Sequence, residues 1–261
     1  MRVLVTFAVD AEFAPWRKLR KFRFIDFDGL RLWRASARDT EITALVTGMG
    51  TQSAAKAMDL MMRLADQNKY FDICISSGLA GALEESLSPG DIIAPQILIS
   101  ENRYADVSSE QLNVDSELRQ QALDGGAKTA DCLLTVDRVL VKQSHKRSCA
   151  SRAQSVDMES FEIVKAACAW GARCVVVRAI SDSAQEDLPI NFNLTLSKTN
   201  QVSVAKVILQ LAKNPLVLPA LVRFGRQSQK AATTLAMFLD GYIQRLEGTN
   251  RKSRAREAAA K

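Results

Sequence analysis

The chain has 261 residues, is 47% hydrophobic and carries a formal net charge of +6. That length and apolar fraction suffice for one sizeable α/β core, and no uninterrupted apolar run reaches the length that spans a bilayer. The single histidine, His145 in the polar run KQSHKRS, argues against a zinc or iron site and leaves a histidine-dependent triad only this one exposed-looking residue. No metal and no cofactor is expected.

Cys74, Cys132, Cys149, Cys168 and Cys174 form an odd set without C-x-x-C spacing. Most lie in apolar surroundings and read as buried, reduced thiols, which points to the cytoplasm. The N-terminal apolar run is short and meets Asp10, unlike a secretory signal. The charge is uneven. From Leu211 to Lys261 there are ten Lys and Arg against three Asp and Glu, a balance of +7, while the first 210 residues sum to −1. The basic character therefore belongs to the C-terminal part.

In chain order, RVLVTFAV (2–9) reads as a first strand leading into Asp10, Ala11 and Glu12. FRFIDFDGLRLWRA (22–35) alternates on both sides of Asp28-Gly29, a strong hairpin turn. EITALVTGMG gives another strand, and its glycines open a helix predicted from about Thr51 to Asn68. Such a turn can hold an anion on backbone N–H groups. FDICISSGLAGAL is an apolar strand ending in small residues, followed by a Pro-Gly-Asp turn and the strand DIIAPQILIS. A polar helix (Ser116 to Gly125) precedes TADCLLTVDRVLV.

The chain is organised around Ser155 to Ala184. Asp157 and Glu159 bracket Met158; an apolar helical face follows through Phe161, Ile163, Val164, Ala167, Cys168 and Trp170, and Gly171 stops it. CVVVRAI then reads as a buried parallel strand with Ser181 and Asp182 at its carboxyl end. Ligands collect at that end of open α/β sheets. Because a helix and the strand after it run antiparallel, Glu159 and Asp182 can face one pocket.

VDMES followed by VVVRAISD resembles the nucleoside phosphorylase and nucleosidase superfamily, especially the methylthioadenosine/S-adenosylhomocysteine nucleosidases. SSGLAGAL with its Pro-Gly-Asp turn is a second match, and together they cover roughly residues 1–210. The resemblance implies a three-layer α/β/α sandwich with a mixed, twisted central sheet, here with a helical C-terminal extension. It also implies a purine nucleoside substrate and a homodimer or higher oligomer. By the same resemblance, Glu12 activates the attacking water, Asp182 addresses purine N7, and the turn carrying Met49 borders the ribose. Ala80 and Gly81 let the backbone approach sugar and base.

Two positions depart from the family pattern. Leu79 stands where a small polar residue is usual. Val139, followed by Leu140, stands where an aromatic residue stacks on the base. Val139 and Leu140 therefore either touch the base or belong to the core, and stacking is weakened or supplied differently.

Cleaving a purine N-glycosidic bond builds positive charge on the ribose while the base leaves as an anion. Asp182, oriented by Ser181, would deliver a proton to the base, which requires burial or a neighbouring carboxylate to raise its pKa. Glu159 would accept the ribose hydroxyls and stabilise the cationic sugar, with Met158 packed against it. Glu12 would serve as general base towards water, and Asp157 would support the strand–helix turn.

Glu12 beside the nucleophile would repel phosphate, and Arg103, Arg138 and Arg178 form no recognisable phosphate signature. This favours hydrolysis, with a phosphate-dependent phosphorylase as the alternative. A nonenzymatic nucleoside-binding or membrane-associated module differs from both by releasing no free base.

After Asp182, QEDLPINFNLTL resembles a loop and short helix over the base site. A helix is predicted from Val202 to Leu211, then basic helical segments marked by Pro215 and Pro219. The division expected is 1–210 for the catalytic domain, 211–247 for a basic helical extension of it, and 248–261 for a flexible tail. A basic amphipathic helix lies on an anionic membrane surface or packs on the body or a partner copy. LPALVRF and the following basic helix resemble the hopanoid-associated branch of the superfamily, which implies a lipid-linked adenosyl substrate such as adenosylhopane. Nucleic acid is not an expected partner, because few aromatics accompany these charges.

Overall fold

The computed structural model of the chain describes residues 1–27, 29–65, 71–101, 110–194 and 204–259. β1 (Arg2–Phe7) runs into α1 (Asp10–Leu19), and β2 (Arg23–Phe27) and β3 (Leu30–Ala37) form the expected hairpin, with Phe27 opposite Leu30. β4 (Thr40–Val46), α2 (Thr51–Ala65), β5 (Ile73–Ala82), β6 (Ile92–Ser100) and β7 (Gln111–Asn113) follow. The predicted end of α2 near Asn68 lies outside the described residues. Next come α3 (Ser116–Asp124), β8 (Lys128–Thr135), α4 (Gln143–Cys149), β9 (Ser155–Asp157), α5 (Ser160–Ala169) and β10 (Arg173–Asp182). A 3-10 turn (Phe192–Leu194), α6 (Val204–Lys213), a second 3-10 turn (Pro215–Val217) and α7 (Leu218–Ala259) complete the chain. α7 continues through residue 248, where a flexible tail was expected to begin.

Among the described residues ten strands form one mixed sheet. β1 lies parallel between β4 and β5, and β10 lies parallel on the other side of β5. At this end the sheet curls on itself: β10 pairs antiparallel with β6, β6 parallel with β8, β8 parallel with β9, and β9 antiparallel with β5. Five strands thus close a ring, and the carboxyl ends of β5 and β10 meet β9 within it.

Side chains alternating along the strands feed two cores. Val3, Val5 and Phe7 of β1 and Val175, Val177 and Ala179 of β10 pack beneath α1, α3 and α7. Leu4, Cys74 and Val176 face α2 and α5 on the opposite side. This is the three-layer sandwich with a mixed sheet that the family resemblance implied.

α7 settles part of the C-terminal question. Ala231, Leu235, Leu239, Tyr242, Ile243 and Leu246 are buried in the first core. Arg20 pairs with Asp240 at 2.7 Å, and the Tyr242 hydroxyl donates to the Leu118 carbonyl at 2.7 Å. Burial of each large apolar side chain contributes about 1.5–3 kcal/mol, so this half of α7 is part of the body. Of the cysteines, Cys74 and Cys174 are buried, Cys132 and Cys149 half-buried and Cys168 exposed, so the expectation of buried thiols holds for only some of them.

Candidate active site

The site grows from three strand ends. α1 starts directly after β1, and Glu12 in its first turn folds back, accepting N–H groups of Ala8 at 2.9 Å and Val9 at 3.4 Å on Oε2. Its Oε1 accepts the Leu79 N–H at 3.0 Å. The contact at position 79 is therefore made by backbone, which explains how leucine is accommodated there.

β9 ends at Asp157. This residue accepts the Thr135 hydroxyl at 2.7 Å and the Ser160 N–H at 3.1 Å, capping α5 as expected of a turn-supporting residue. Glu159, freed from that duty, turns to the glycine-rich turn and accepts the Gly50 N–H at 2.7 Å. The turn's anion-holding capacity is thus used on a side-chain carboxyl of the protein.

Arg178 joins these acids. It lies in the apolar run of β10, wholly buried, in register with Gly78 of β5. Its Nη2 stands 2.7 Å from Asp157 Oδ2 and 4.0 Å from Glu159 Oε2, and Nε and Nη2 donate to Ser160 Oγ at 3.2 and 2.9 Å. Gly78 has φ of 140°, and a Cβ there would fall 2.4 Å from Arg178 Nη1 and 3.0 Å from Glu12 Oε2. The cluster therefore requires glycine.

Three carboxyl groups, Glu12, Asp157 and Glu159, share this one guanidinium. Like charges in a dry site cannot all be ionised. Burial foremost, opposed by Arg178 and reinforced by Asp157 and Glu12, pushes Glu159 up to about 8. Glu12 is also raised, by burial, against Arg178 and the three N–H groups that favour its charge. Burial thus favours the protonated form of Glu159, while the Gly50 N–H and Arg178 favour its charge. A cation developing nearby would draw it into the ionised form.

Across the cavity, Ser181 Oγ donates to Asp182 Oδ1 at 2.6 Å and sits 3.2 Å from the Ala80 carbonyl. A Cβ on Gly81 would stand 3.2 Å from Asp182 Oδ2 and 3.3 Å from Val156 Cγ1, so a bare backbone lets β10 and β9 close together. The side chain beside Asp182 is a cation, where burial or a neighbouring carboxylate was expected. It is Lys146 of α4, with Nζ 2.5 Å from Asp182 Oδ2 and a side chain only 1% exposed. Nothing in the polar run KQSHKRS distinguishes this lysine from its solvated neighbours.

Glu12, Met49, Ala80, Gly81, Val139, Leu140, Met158, Glu159, Ser181 and Asp182 all line one cavity of about 590 Å³. Val139 and Leu140 are thus wall residues. Asn193 clips the backbone of Val139 at both ends, its Oδ1 accepting the N–H at 2.8 Å and its Nδ2 donating to the carbonyl at 2.9 Å. That clip holds Phe192 in the wall, with its ring 5.3 Å from that of Phe224 on α7. Neither aromatic was assigned to the wall from the sequence, although Phe192 lies in the run QEDLPINFNLTL expected over the base site. α1 and α7 extend the lining through Ala14, Pro15, Lys18, Phe224, Gly225, Ser228 and Gln229. Ser228 Oγ is buried without a hydrogen-bond partner. Arg138 is exposed in the wall, and Arg103 lies outside the described residues.

A mostly apolar cavity at the carboxyl ends of β5 and β10, flanked by acids on one side and a lysine-held aspartate on the other, defines an α/β protein with a small-molecule site. The sequence model of the phosphorylase superfamily matches residues 2–214, and the chain belongs to that family. A 5′-methylthioadenosine/S-adenosylhomocysteine nucleosidase of Haemophilus ducreyi is 26% identical over 208 residues, covering 69% of this chain and 86% of that protein. The enzyme of the same name from Staphylococcus aureus is 28% identical over 203 residues, with the same coverage. In fold, the chain resembles futalosine hydrolase of Helicobacter pylori, with a TM-score of 0.71 at 17% identity, covering 94% of this chain and 99% of that one. It equally resembles that organism's 5′-methylthioadenosine/S-adenosylhomocysteine nucleosidase, with a TM-score of 0.71 and coverage of 94% and 98%.

Proposed function

We propose that the chain is a nucleosidase that hydrolyses the N-glycosidic bond of an adenosyl compound and releases adenine. The observation that carries this reading is the placement of Glu12, Glu159 and Asp182 around one cavity, Glu12 and Glu159 on one buried arginine. Glu12, held by three backbone N–H groups, positions and deprotonates water. Glu159 receives the ribose hydroxyls and ionises as the sugar becomes cationic, while Met158 packs on the ribose. Asp182, oriented by Ser181, serves purine N7, and Phe192 offers the aromatic face that Val139 does not. Arg178 supports hydrolysis over phosphorolysis, because its hydrogen bonds are taken by Asp157, Ser160 and Ser76. The relatives named as nucleosidases support the same choice.

The 5′-substituent is read as large and apolar, as in adenosylhopane. Beyond the ribose the cavity continues between α1 and α7, past Phe192 and Phe224. Two hydrogen bonds between Gln210 and Asn191, at 3.1 and 2.9 Å, tie α6 to this rim. Ile208, Leu209, Leu216, Leu218 and Val222 are exposed on α6, the turn and the start of α7, with Leu216 at 88%. Exposed Lys213 and Arg226 flank them. Among the described residues no single helix is long and apolar enough to cross a membrane. An apolar strip with basic flanks suits contact with an anionic lipid surface, which would set the cavity mouth at the bilayer.

The test is adenine release from methylthioadenosine, S-adenosylhomocysteine and an adenosyl-lipid, each with and without phosphate, with sedimentation on phosphatidylglycerol vesicles alongside. Preference for the adenosyl-lipid and vesicle binding lost on Leu216→Ser with Leu218→Ser support the lipid reading. Preference for methylthioadenosine without vesicle binding assigns the chain to the small soluble substrates. No release from any of them leaves a binding module.

A further inference from the structure

Lys146 is buried and its three N–H donors have three acceptors: Asp182 Oδ2 at 2.5 Å, the Ser183 carbonyl at 2.6 Å and the Glu186 carbonyl at 3.2 Å. A lysine taken out of water at this cost needs such complete pairing. Yet the clamp is not remote packing, because Lys146 itself lines the cavity. Ser181 occupies the other oxygen of Asp182. The group that must supply a proton to the leaving base is therefore one half of a buried ion pair.

We propose that Lys146 is the positioning residue and proton source behind Asp182, so that the Lys146–Asp182 pair together acts as the acid towards the leaving purine. The inference rests on the nucleosidase reading. As the C1′–N9 bond breaks, its electron pair passes to the base. N7 takes a proton from the Asp182 carboxyl, and Lys146 Nζ supplies that proton. The lysine is left as a neutral amine whose two remaining N–H groups match the Ser183 and Glu186 carbonyls. The proton that Glu12 takes from water balances the one Lys146 gives, and exchange with solvent after product release restores both.

The experiment compares two leaving groups on the same sugar in the full chain: adenine, which must be protonated, and 4-nitrophenolate, which leaves as a stable anion. Lys146→Met removes charge and donors, whereas Lys146→Gln keeps a donor and removes the charge. The expected result is a loss of kcat on the adenine substrate of about 10²-fold, at the low end of general acid assistance. The loss on the 4-nitrophenyl riboside should be less than about fivefold, because no proton transfer is at stake there. Equal losses on both substrates in both variants would overturn the proposal in favour of a structural clamp, as would unchanged turnover on the adenine substrate. A wild-type chain that cleaves the nitrophenyl riboside but no nucleoside would reject the nucleosidase reading itself.

Discussion

Arg178 Nη2 and Asp157 Oδ2 stand 2.7 Å apart with both side chains wholly shut off from solvent. The contact sits at the centre of the site, since the same guanidinium also faces Glu159 and the environment of Glu12. Removing one partner of such a pair strands the other charge. Arg178→Met should destabilise the chain by about 3–5 kcal/mol, read from urea unfolding midpoints. A cost below about 1 kcal/mol, the worth of an exposed pair, would contradict the role of Arg178 as counterion to three acids.

Glu159 makes stability depend on pH. Its carboxyl is raised from the ordinary 4.5 to about 8 in the folded chain. Across that window the folded state keeps a proton that the unfolded chain has released. Stability therefore falls as pH rises from the lower value through the upper one. Glu159→Gln, neutral throughout, should flatten the curve and exceed the wild type in melting temperature above about pH 8. Parallel curves would place the titration elsewhere.

Glu12 must be ionised to act on water, and burial raises its pKa. The acid limb of kcat/KM should accordingly lie above the ordinary carboxylate range. Glu12→Gln should lower kcat by about 10²–10⁴-fold and abolish that limb. A limb that survives the substitution would assign it to another group.

Gly78 leaves room for the guanidinium. Gly78→Ala combines a left-handed φ with a Cβ driven into Arg178 Nη1. Strain and overpacking together should cost more than about 2 kcal/mol and reduce turnover with it, since Glu12 borders the same space. A fully stable, fully active variant would show that β5 and β10 can separate there.

Much of this was legible in the chain. CVVVRAI declared a strand buried on both faces, the alternating runs paired as the expected hairpin with Phe27 opposite Leu30, and Gly171 ended α5 where expected. The acids at 12, 157, 159 and 182 were picked out by the match of their segments to the family's motifs, since composition and spacing alone read Asp10 and Glu12 as residues that solvate a βα loop. What escaped detection depends on contacts far apart in sequence. Ring closure needs β10 to pair with β6 through Arg178 and Ala179, and β9 has only three residues with which to signal its place. Lys146 looks solvated because Lys142, His145 and Arg147 beside it are exposed. Its burial follows from the loop after β10 lying across α4. Phe192 and Phe224 meet only because α7 returns over the site, bringing together segments that no local pattern connects.

The most direct test is the incubation of the purified chain with methylthioadenosine and an adenosyl-lipid in phosphate-free buffer, following free adenine and reducing sugar together. The account predicts that adenine and free sugar appear in equal amounts at a rate that added phosphate does not change. Adenine appearing only with phosphate, accompanied by a sugar 1-phosphate, would contradict water as the nucleophile and the role given to Glu12.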